Sequence, residues 1–337
     1  MSRAASSNRK KIGVVLFQLG GPDSLEAVEP FLYNLFSDPD IIEFPFARFA
    51  RQPLARLLAA RRAKKVQHAY AELGGKSPLN EITQRQAQAL EKQLRKDCEA
   101  RVVVAMRYWH PFTQEALQTL APHTCTELVL LPLYPQYSKV TTGSSLNEWN
   151  RHYARFAKNH IPVHLVRHFY DHPGYLDAVV ERIEQTLEQF SATGRVELVF
   201  SAHGIPADVI VQGDPYRDQV EATMARVMSR GGWHHPYRLC YQSRVGPGRW
   251  LEPSLQATLR ALPSQGAENV LVIPIAFVSD HIETLHEIDV EARALAHALG
   301  IPRFALMPAL NDSPKFIRAL ADLVRVAVAA SGAATTA

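Results

Sequence analysis

A histidine at the tip of an apolar run and a row of glutamates further along are the residues of this sequence best suited to chemistry. The histidine is His203, within LVFSAHGIPADVIVQGDPY (Leu198–Tyr216). The apolar run ends at Phe200, and Gly204 and Pro206 then impose an abrupt turn, so Ser201 and His203 are expected at the carboxyl tip of a strand. An imidazole titrates near neutrality, so in that place it accepts or donates a proton, or binds a divalent metal, at cellular pH. A core histidine satisfied by backbone is the competing reading. The glutamates lie in SDHIETLHEIDVEA (Ser279–Ala292), where Glu283, Glu287 and Glu291 recur every four residues and project from one side of a helix. Either that side faces water, the ordinary arrangement for like charges, or it leads inward and collects a cation. Carboxylate oxygens with His281 nearby make a mixed O/N set, which could hand on a divalent cation where thiolates would trap it.

A third group is aromatic and basic. FLYNLFSDPDIIEF (Phe31–Phe44) is rich in apolar residues despite its turn signals, and Arg61, Arg62 and Tyr70 follow. An exposed apolar lip beside arginines suits a flat, greasy molecule with carboxylate tails, because Arg binds carboxylate bidentately. Ordinary helix packing explains the aromatics equally well. RYWHPF (Arg107–Phe112) and Trp250-Leu251 add aromatics at further strand ends.

These groups need a scaffold that brings distant segments together, and the pattern of the chain supplies one. Ile12–Leu16, Val102–Met106, Val196–Phe200 and Val270–Ile275 are short runs, apolar on both parities, each followed by turn residues and a helical period. That is the signature of central parallel strands covered on both faces. Leu128–Leu133, Val163–Val166 and Tyr237–Tyr241 are expected as further strands. LGGPDS (Leu19–Ser24) and the stretch after Val278 are strand-to-helix loops of the kind that bind ligands at the carboxyl edge of a parallel sheet. LVLLPLYPQYS (Leu128–Ser138) reads like VLVIPIAFVSD (Val270–Asp280), which suggests two similar halves. The division is expected in the polar, aromatic stretch 150–160, giving units 11–160 and 161–312. A helix over 313–329 could pack on either unit, and SGAATTA is expected as a tail.

Composition excludes several classes. With 337 residues, 47% hydrophobic and 21% charged, the chain is long enough for two units with a sizeable core and is not a disordered polymer. A net charge of +4, from 37 basic and 33 acidic residues, is too slight to indicate nucleic acid. Cys98, Cys125 and Cys240 have no paired spacing, so neither a disulfide framework nor a thiolate metal site is read from them. The start MSRAASSNRKK has no apolar run behind it and reads as a loose tail. No strand is followed by G-x-G-x-x-G with a suitably spaced acid, which disfavours a dinucleotide-binding dehydrogenase.

Taken together, the stretches around His203 and Glu283 resemble the ferrochelatases. LVFSAHGIPADVIVQGDPY and SDHIETLHEID are similar to the histidine and glutamate segments of that family. LGGPDS, GGKSPLNEIT (Gly74–Thr83), AMRYWHPF, LPLYPQYS, TGSS (Thr142–Ser145) and YQSRVGPGRWL (Tyr241–Leu251) follow in the family's order, from about Lys11 to Val324. The resemblance implies an α/β fold of two similar Rossmann-like, chelatase-type domains. Each would be a four-stranded parallel sheet flanked by helices, with the porphyrin in the cleft between them. It implies a lyase that inserts Fe²⁺ into protoporphyrin IX, the last step of haem biosynthesis. His203 would take pyrrole protons or hold the metal, and Glu283 would be its partner carboxylate across the macrocycle. Glu287 and Glu291 would continue as an acidic path, with Asp280 and His281 in the adjoining network. Leu19, Arg62, Ser77, Arg107, Tyr108, Trp250 and Phe277 would line the porphyrin pocket.

Some members carry cysteines for a [2Fe–2S] cluster near the C-terminus; this chain lacks that group, so no cluster and no other tightly bound cofactor is expected. The same missing extension favours a monomer over a dimer, in bacterial cytoplasm with loose contact to the membrane through the Phe31–Phe46 lip. The rival readings are a coproporphyrin ferrochelatase, a cobalt chelatase for sirohydrochlorin, and a protein that carries haem or metal without catalysis.

Overall fold

The runs that are apolar on both parities are the buried strands. The computed structural model describes residues 10–41, 47–121, 123–156, 161–190, 195–244 and 248–334. β1 (Lys11–Gln18), β2 (Glu99–Met106), β3 (Glu127–Pro132) and β4 (Val163–Leu165) form a parallel sheet in the order β2-β1-β3-β4. β5 (Val196–His203), β6 (Tyr237–Gln242), β7 (Asn269–Pro274) and β8 (Arg303–Leu306) form a second parallel sheet in the order β6-β5-β7-β8. The identical order places β3 and β7 in equivalent positions, so the two similar stretches noted in the sequence are structural counterparts. The resemblance implies a fourth strand here, but β8 itself was not placed in the sequence, because Arg303–Leu306 opens on a charge and holds no β-branched residue.

The helices of the first half are α1 (Val28–Phe36), α2 (Ala47–Glu72), α3 (Leu79–Leu94), α4 (Thr113–Leu120) and α5 (Ser144–Phe156). Those that follow are α6 (Pro173–Leu187), α7 (Ala207–Val211), α8 (Tyr216–Gly231), α9 (Leu255–Ala261), α10 (Arg293–Ala298) and α11 (Pro314–Ala334). The segment Glu283–Ala292 is a π-helix, with bonds closing from i to i+5.

Two boundaries differ from expectation. β4 pairs with β3, so the first sheet extends past the division drawn at 160, and most of the polar stretch before it is α5. Polar residues on the outer side of that helix disguised it; its inner side buries Trp149, stacked on Tyr153 with ring centres 5.0 Å apart. α11 runs on through Ser331–Ala334, residues expected in the tail, and packs against α3, α6, β3 and β4. The tail residues 1–9 and 335–337 lie outside the described residues.

Both sheets share one core. Val14, Leu16, Val104 and Val129 of the first sheet join Leu198, Phe200, Leu271 and Ile273 of the second in a continuous buried cluster with α3, α6, α8 and α11. The other face of the first sheet is covered by α4 and α5 through Leu117 and Trp149, and that of the second by α9 and α10 through Leu255, Leu259 and Ala296. A shared core fixes the sheets relative to one another, because a close-packed interior resists sliding.

The lip needs correction. Phe31, Leu32 and Phe36 are each only 6% exposed and pack with Ala55, Ala59, Tyr70 and Tyr108 as the core between α1 and α2. Their apolar surface gains more from burial than from lining a rim, so these three side chains are helix packing. The rest of the lip, residues 42–46, lies outside the described residues. Among the described residues no helix is long and apolar enough to cross a membrane.

Candidate active site

The backbone around His203 is pinned by both neighbouring elements. Strand register pairs His203 with Gln242 at the end of β6. The next residue must be glycine, because a Cβ at Gly204 would come within 2.8 Å of the Gln242 carbonyl oxygen. The Gly204 N–H donates to that oxygen at 2.7 Å, and the Ser201 hydroxyl donates to Gln242 Oε1 at 2.7 Å. From α8, the Tyr216 hydroxyl donates to the His203 carbonyl at 3.0 Å. The imidazole itself is not satisfied by backbone: its Nδ1 lies 2.9 Å from Glu283 Oε2, and 34% of the side chain is accessible. With Nδ1–H donating to the carboxylate, Nε2 is the nitrogen left to accept a proton or bind a metal.

Glu283 opens the π-helix, whose start is anchored by Asp280. The Asn311 amide donates to Asp280 Oδ2 at 2.7 Å, the Asp280 N–H donates to Asn311 Oδ1 at 2.9 Å, and the Ala309 N–H donates to Asp280 Oδ1 at 3.2 Å. The loop after β7 is thereby tied to the loop after β8. The Gln86 amide of α3 reaches the same loop at the Ser279 hydroxyl, 3.0 Å away. His281 is buried, its Nδ1 is 3.2 Å from the Ser279 carbonyl, and its Nε2 lies 3.6 Å from Glu283 Oε2.

The direct contact of His203 with Glu283 corrects one expectation. A carboxylate 2.9 Å from the imidazole leaves no room for a macrocycle between them, so the two groups do not face each other across a gap.

Electrostatics couple the two groups. Burial disfavours an imidazolium at His203, but the charge of Glu283, its hydrogen bond, and the charge of Glu287 outweigh that and hold the pKa above the ordinary 6.5. Burial likewise disfavours a carboxylate at Glu283, but His203 and His281 overcome it and keep the group well below the ordinary 4.5. Glu287 moves the opposite way: burial and the charge of Glu283 raise it, against two bonds from Ser243 that lower it.

The three glutamates grade from inside to outside. The Glu283 side chain is 24% exposed, Glu287 is half-buried and held by Ser243, and Glu291 is 52% exposed, with an oxygen 3.7 Å from His286 Nδ1. The far nitrogen of His286 meets Glu72 of α2 at 2.9 Å, which ties α2 to the π-helix. Among the described residues no set of three or more His, Cys, Asp or Glu side chains closes into a metal cage, and Glu291 does not join His203. Spaced four apart on the π-helix, the three lie on one side of the segment.

Phe277 and Trp250 border the pair. The Phe277 ring is edge-on to His203 at 6.2 Å and lies 4.5 Å from the His281 ring, and Trp250 stands beside Gly204. Leu19 and Ile282 both pack against the α1–α2 cluster, which brings the first sheet's loop up to the start of the π-helix. Tyr70 of that cluster is raised above the ordinary phenol range by burial first, and by the charge of Glu283 as well.

The remaining expected pocket residues are further from the pair or fully engaged. Ser77 is buried under Gly21, where an added Cβ would come within 2.4 Å of its hydroxyl oxygen. It supports the Gly20-Gly21 turn and presents no exposed hydroxyl. Arg62 lies on α2 with its guanidinium 5.8 Å from the centre of the Phe36 ring. Arg107 is 3.0 Å from the fully buried Asp38 and donates to the Ser144 hydroxyl at 2.8 Å; the Tyr108 hydroxyl donates to Asp38 at 2.5 Å. Asp38 was missed in the sequence because a single acid before Pro39 reads as a turn former.

This network supports the floor beneath Leu19, whose carbonyl accepts from the Tyr108 N–H at 3.0 Å. Asp38→Ala would leave a largely buried guanidinium without its main partner. Breaking a buried pair in this way costs about 3–5 kcal/mol. The expected outcome is a clearly lowered midpoint in urea unfolding, with Asp38→Asn less affected; equal midpoints for wild type and Asp38→Ala would contradict the role given to this network.

Comparison with known proteins gives a consistent result. The ferrochelatase family profile matches residues 11–328. A ferrochelatase from Aquifex aeolicus is 49% identical over 94% of this chain and 99% of its own length. One from Geobacter metallireducens is 48% identical over 94% and 99%, and one from a Nostoc species is 47% identical over 93% and 81%. Among solved structures, SirB from Bacillus subtilis with Fe³⁺ shares the fold at a TM-score of 0.55, with 11% identity over 96% of this chain and 98% of that one. The cysteines Cys98, Cys125 and Cys240 sit apart, on the α3–β2 turn, ahead of β3 and within β6. With two like-ordered parallel sheets, a histidine and a glutamate in contact at their loops, and near-half identity over almost its whole length, the chain belongs to the ferrochelatase family and is a porphyrin metal chelatase.

Proposed function

We propose that this chelatase inserts Fe²⁺ into protoporphyrin IX, releasing the two pyrrole protons and giving protohaem. The observation that carries this reading is the His203–Glu283 contact of 2.9 Å, a proton acceptor and a carboxylate side by side at the inner end of an acidic track. A free-base porphyrin is nearly planar, and its central N–H protons block the metal. A cleft that binds the bent ring better than the flat one lowers that barrier, since only binding selective for the transition state speeds the reaction. Distortion of this kind costs about 1–5 kcal/mol, offset by contacts remote from the reacting centre. His203 Nε2 accepts a pyrrole proton, and the Glu283 charge stabilises the resulting imidazolium. Protons leave and Fe²⁺ enters along Glu287 and Glu291, on the same side of the ring.

Protoporphyrin is favoured over coproporphyrin by the apolar surroundings. Leu19, Trp109 and Ile282 are partly exposed apolar residues against the α1–α2 cluster, a setting for vinyl groups. Two additional propionates there would lose hydration without partners. The test supplies Fe²⁺ anaerobically with each porphyrin and follows the Soret band. Faster turnover of protoporphyrin is expected; faster turnover of coproporphyrin would reverse the substrate choice, and stoichiometric binding without turnover would replace the enzyme with a carrier.

A further inference from the structure

We propose that Ser243 is a positioning residue for the metal step, holding the Glu287 carboxylate in line with His203 and Glu283 against the repulsion of Glu283. The inference rests on the metal-insertion reading above. β6 ends at Gln242, and Ser243 then adopts φ 66°, in the left-handed region that residues with a Cβ seldom occupy. That conformation gives a two-point grip. The Ser243 N–H donates to Glu287 Oε1 at 2.8 Å, and its hydroxyl donates to Oε2 at 2.5 Å. Both oxygens of one carboxylate are thus held by a single residue of another element, through charge-assisted bonds, the stronger kind.

The other described non-glycine residue with positive φ is Asn311, at 48°, and it grips Asp280. Each left-handed backbone therefore holds an acid of the 280–287 segment, which marks the strain as serving that segment. Glu287 has reason to leave its place. It stands four residues after Glu283 on the same side of the π-helix, and like charges at that spacing repel. Ungripped, a flexible glutamate relaxes toward water, as Glu291 does at 52% exposure. Gripped, each oxygen keeps a lone pair for a cation, so Glu287 can pass a metal from the exposed end of the track to the pair.

Ser243→Gly and Ser243→Ala both remove the hydroxyl bond, but they differ in their effect on the strained backbone. Glycine relieves it and alanine does not. Initial rates are measured with Zn²⁺ varied at saturating porphyrin, and then with porphyrin varied at saturating Zn²⁺, alongside thermal midpoints. Both variants are expected to raise the KM for Zn²⁺ about tenfold, the loss of one charge-assisted bond, and to leave the porphyrin KM within about twofold. The thermal midpoint should hold or rise for glycine and fall for alanine. Adding Ser243→Gly to Glu287→Gln should change the metal KM no further. An unchanged metal KM in Ser243→Gly, an effect that follows stability instead, or additivity with Glu287→Gln would overturn the inference. Absence of insertion by the wild type would instead overturn the reading on which it rests.

Discussion

His203→Ala is expected to lower metal insertion by about a thousandfold while leaving porphyrin binding and the fold intact. The size follows from losing the proton acceptor, commonly a factor of 10²–10⁴. The fold should survive because the local structure is held by the backbone: Gly204 N–H to the Gln242 carbonyl, and the Tyr216 hydroxyl to the carbonyl of residue 203, which alanine keeps. The imidazole contributes one side-chain bond, to Glu283. Removing it has a second consequence, since burial already works against the Glu283 charge and His203 is the main force opposing burial. Glu283 would then take up a proton more readily and lose attraction for the metal. Zinc insertion followed by fluorescence, with porphyrin quenching as the binding control, reads both effects. Activity within tenfold of wild type would contradict the role of His203.

Glu283→Gln is the second large effect, with turnover falling about a hundredfold and the pH profile moving in a set direction. Glutamine keeps the shape and an oxygen to accept from Nδ1 but not the charge that raises His203. In the wild type His203 must be neutral to act as a base, so activity should climb as pH rises through its elevated pKa. Without the carboxylate charge that climb should shift to lower pH. Residual zinc insertion measured across pH tests the sign; a shift to higher pH would contradict the pairing. The same pair sets a stability window. The raised His203 pKa supports the folded state below 6.5, and that support fades as pH passes the raised value. The lowered Glu283 pKa supports the folded state above 4.5, a support lost as pH falls through the lowered value.

How much of this was legible in the sequence follows from what each feature needs. The strands were readable because burial on both faces writes an apolar run, and β8 was not because Arg303–Leu306 opens on a charge and holds no β-branched residue. His203 at a strand tip was readable from Phe200, Gly204 and Pro206, all neighbours in the chain. The geometry of its partner was not: that Glu283 touches the imidazole depends on register between β5 and β7 and on Asn311 holding Asp280, contacts between segments far apart. The π-helix left no mark beyond a four-residue repeat that an α-helix would share. Phe31 and Phe36 misled because an aromatic written for a core and one written for a rim are the same residue. Asp38 was hidden for a related reason, since its guanidinium partner is nearly seventy positions away, well beyond any local pattern.

The most direct test is a crystal structure with metal-free porphyrin bound, in which the distances from His203 Nε2 and the Glu283 carboxylate to the pyrrole nitrogens are measured. The expected result is a bent ring in the cleft between the two sheets, with both side chains over the same face. A flat ring seated elsewhere, or one lying between His203 and Glu283 with their contact broken, would contradict it.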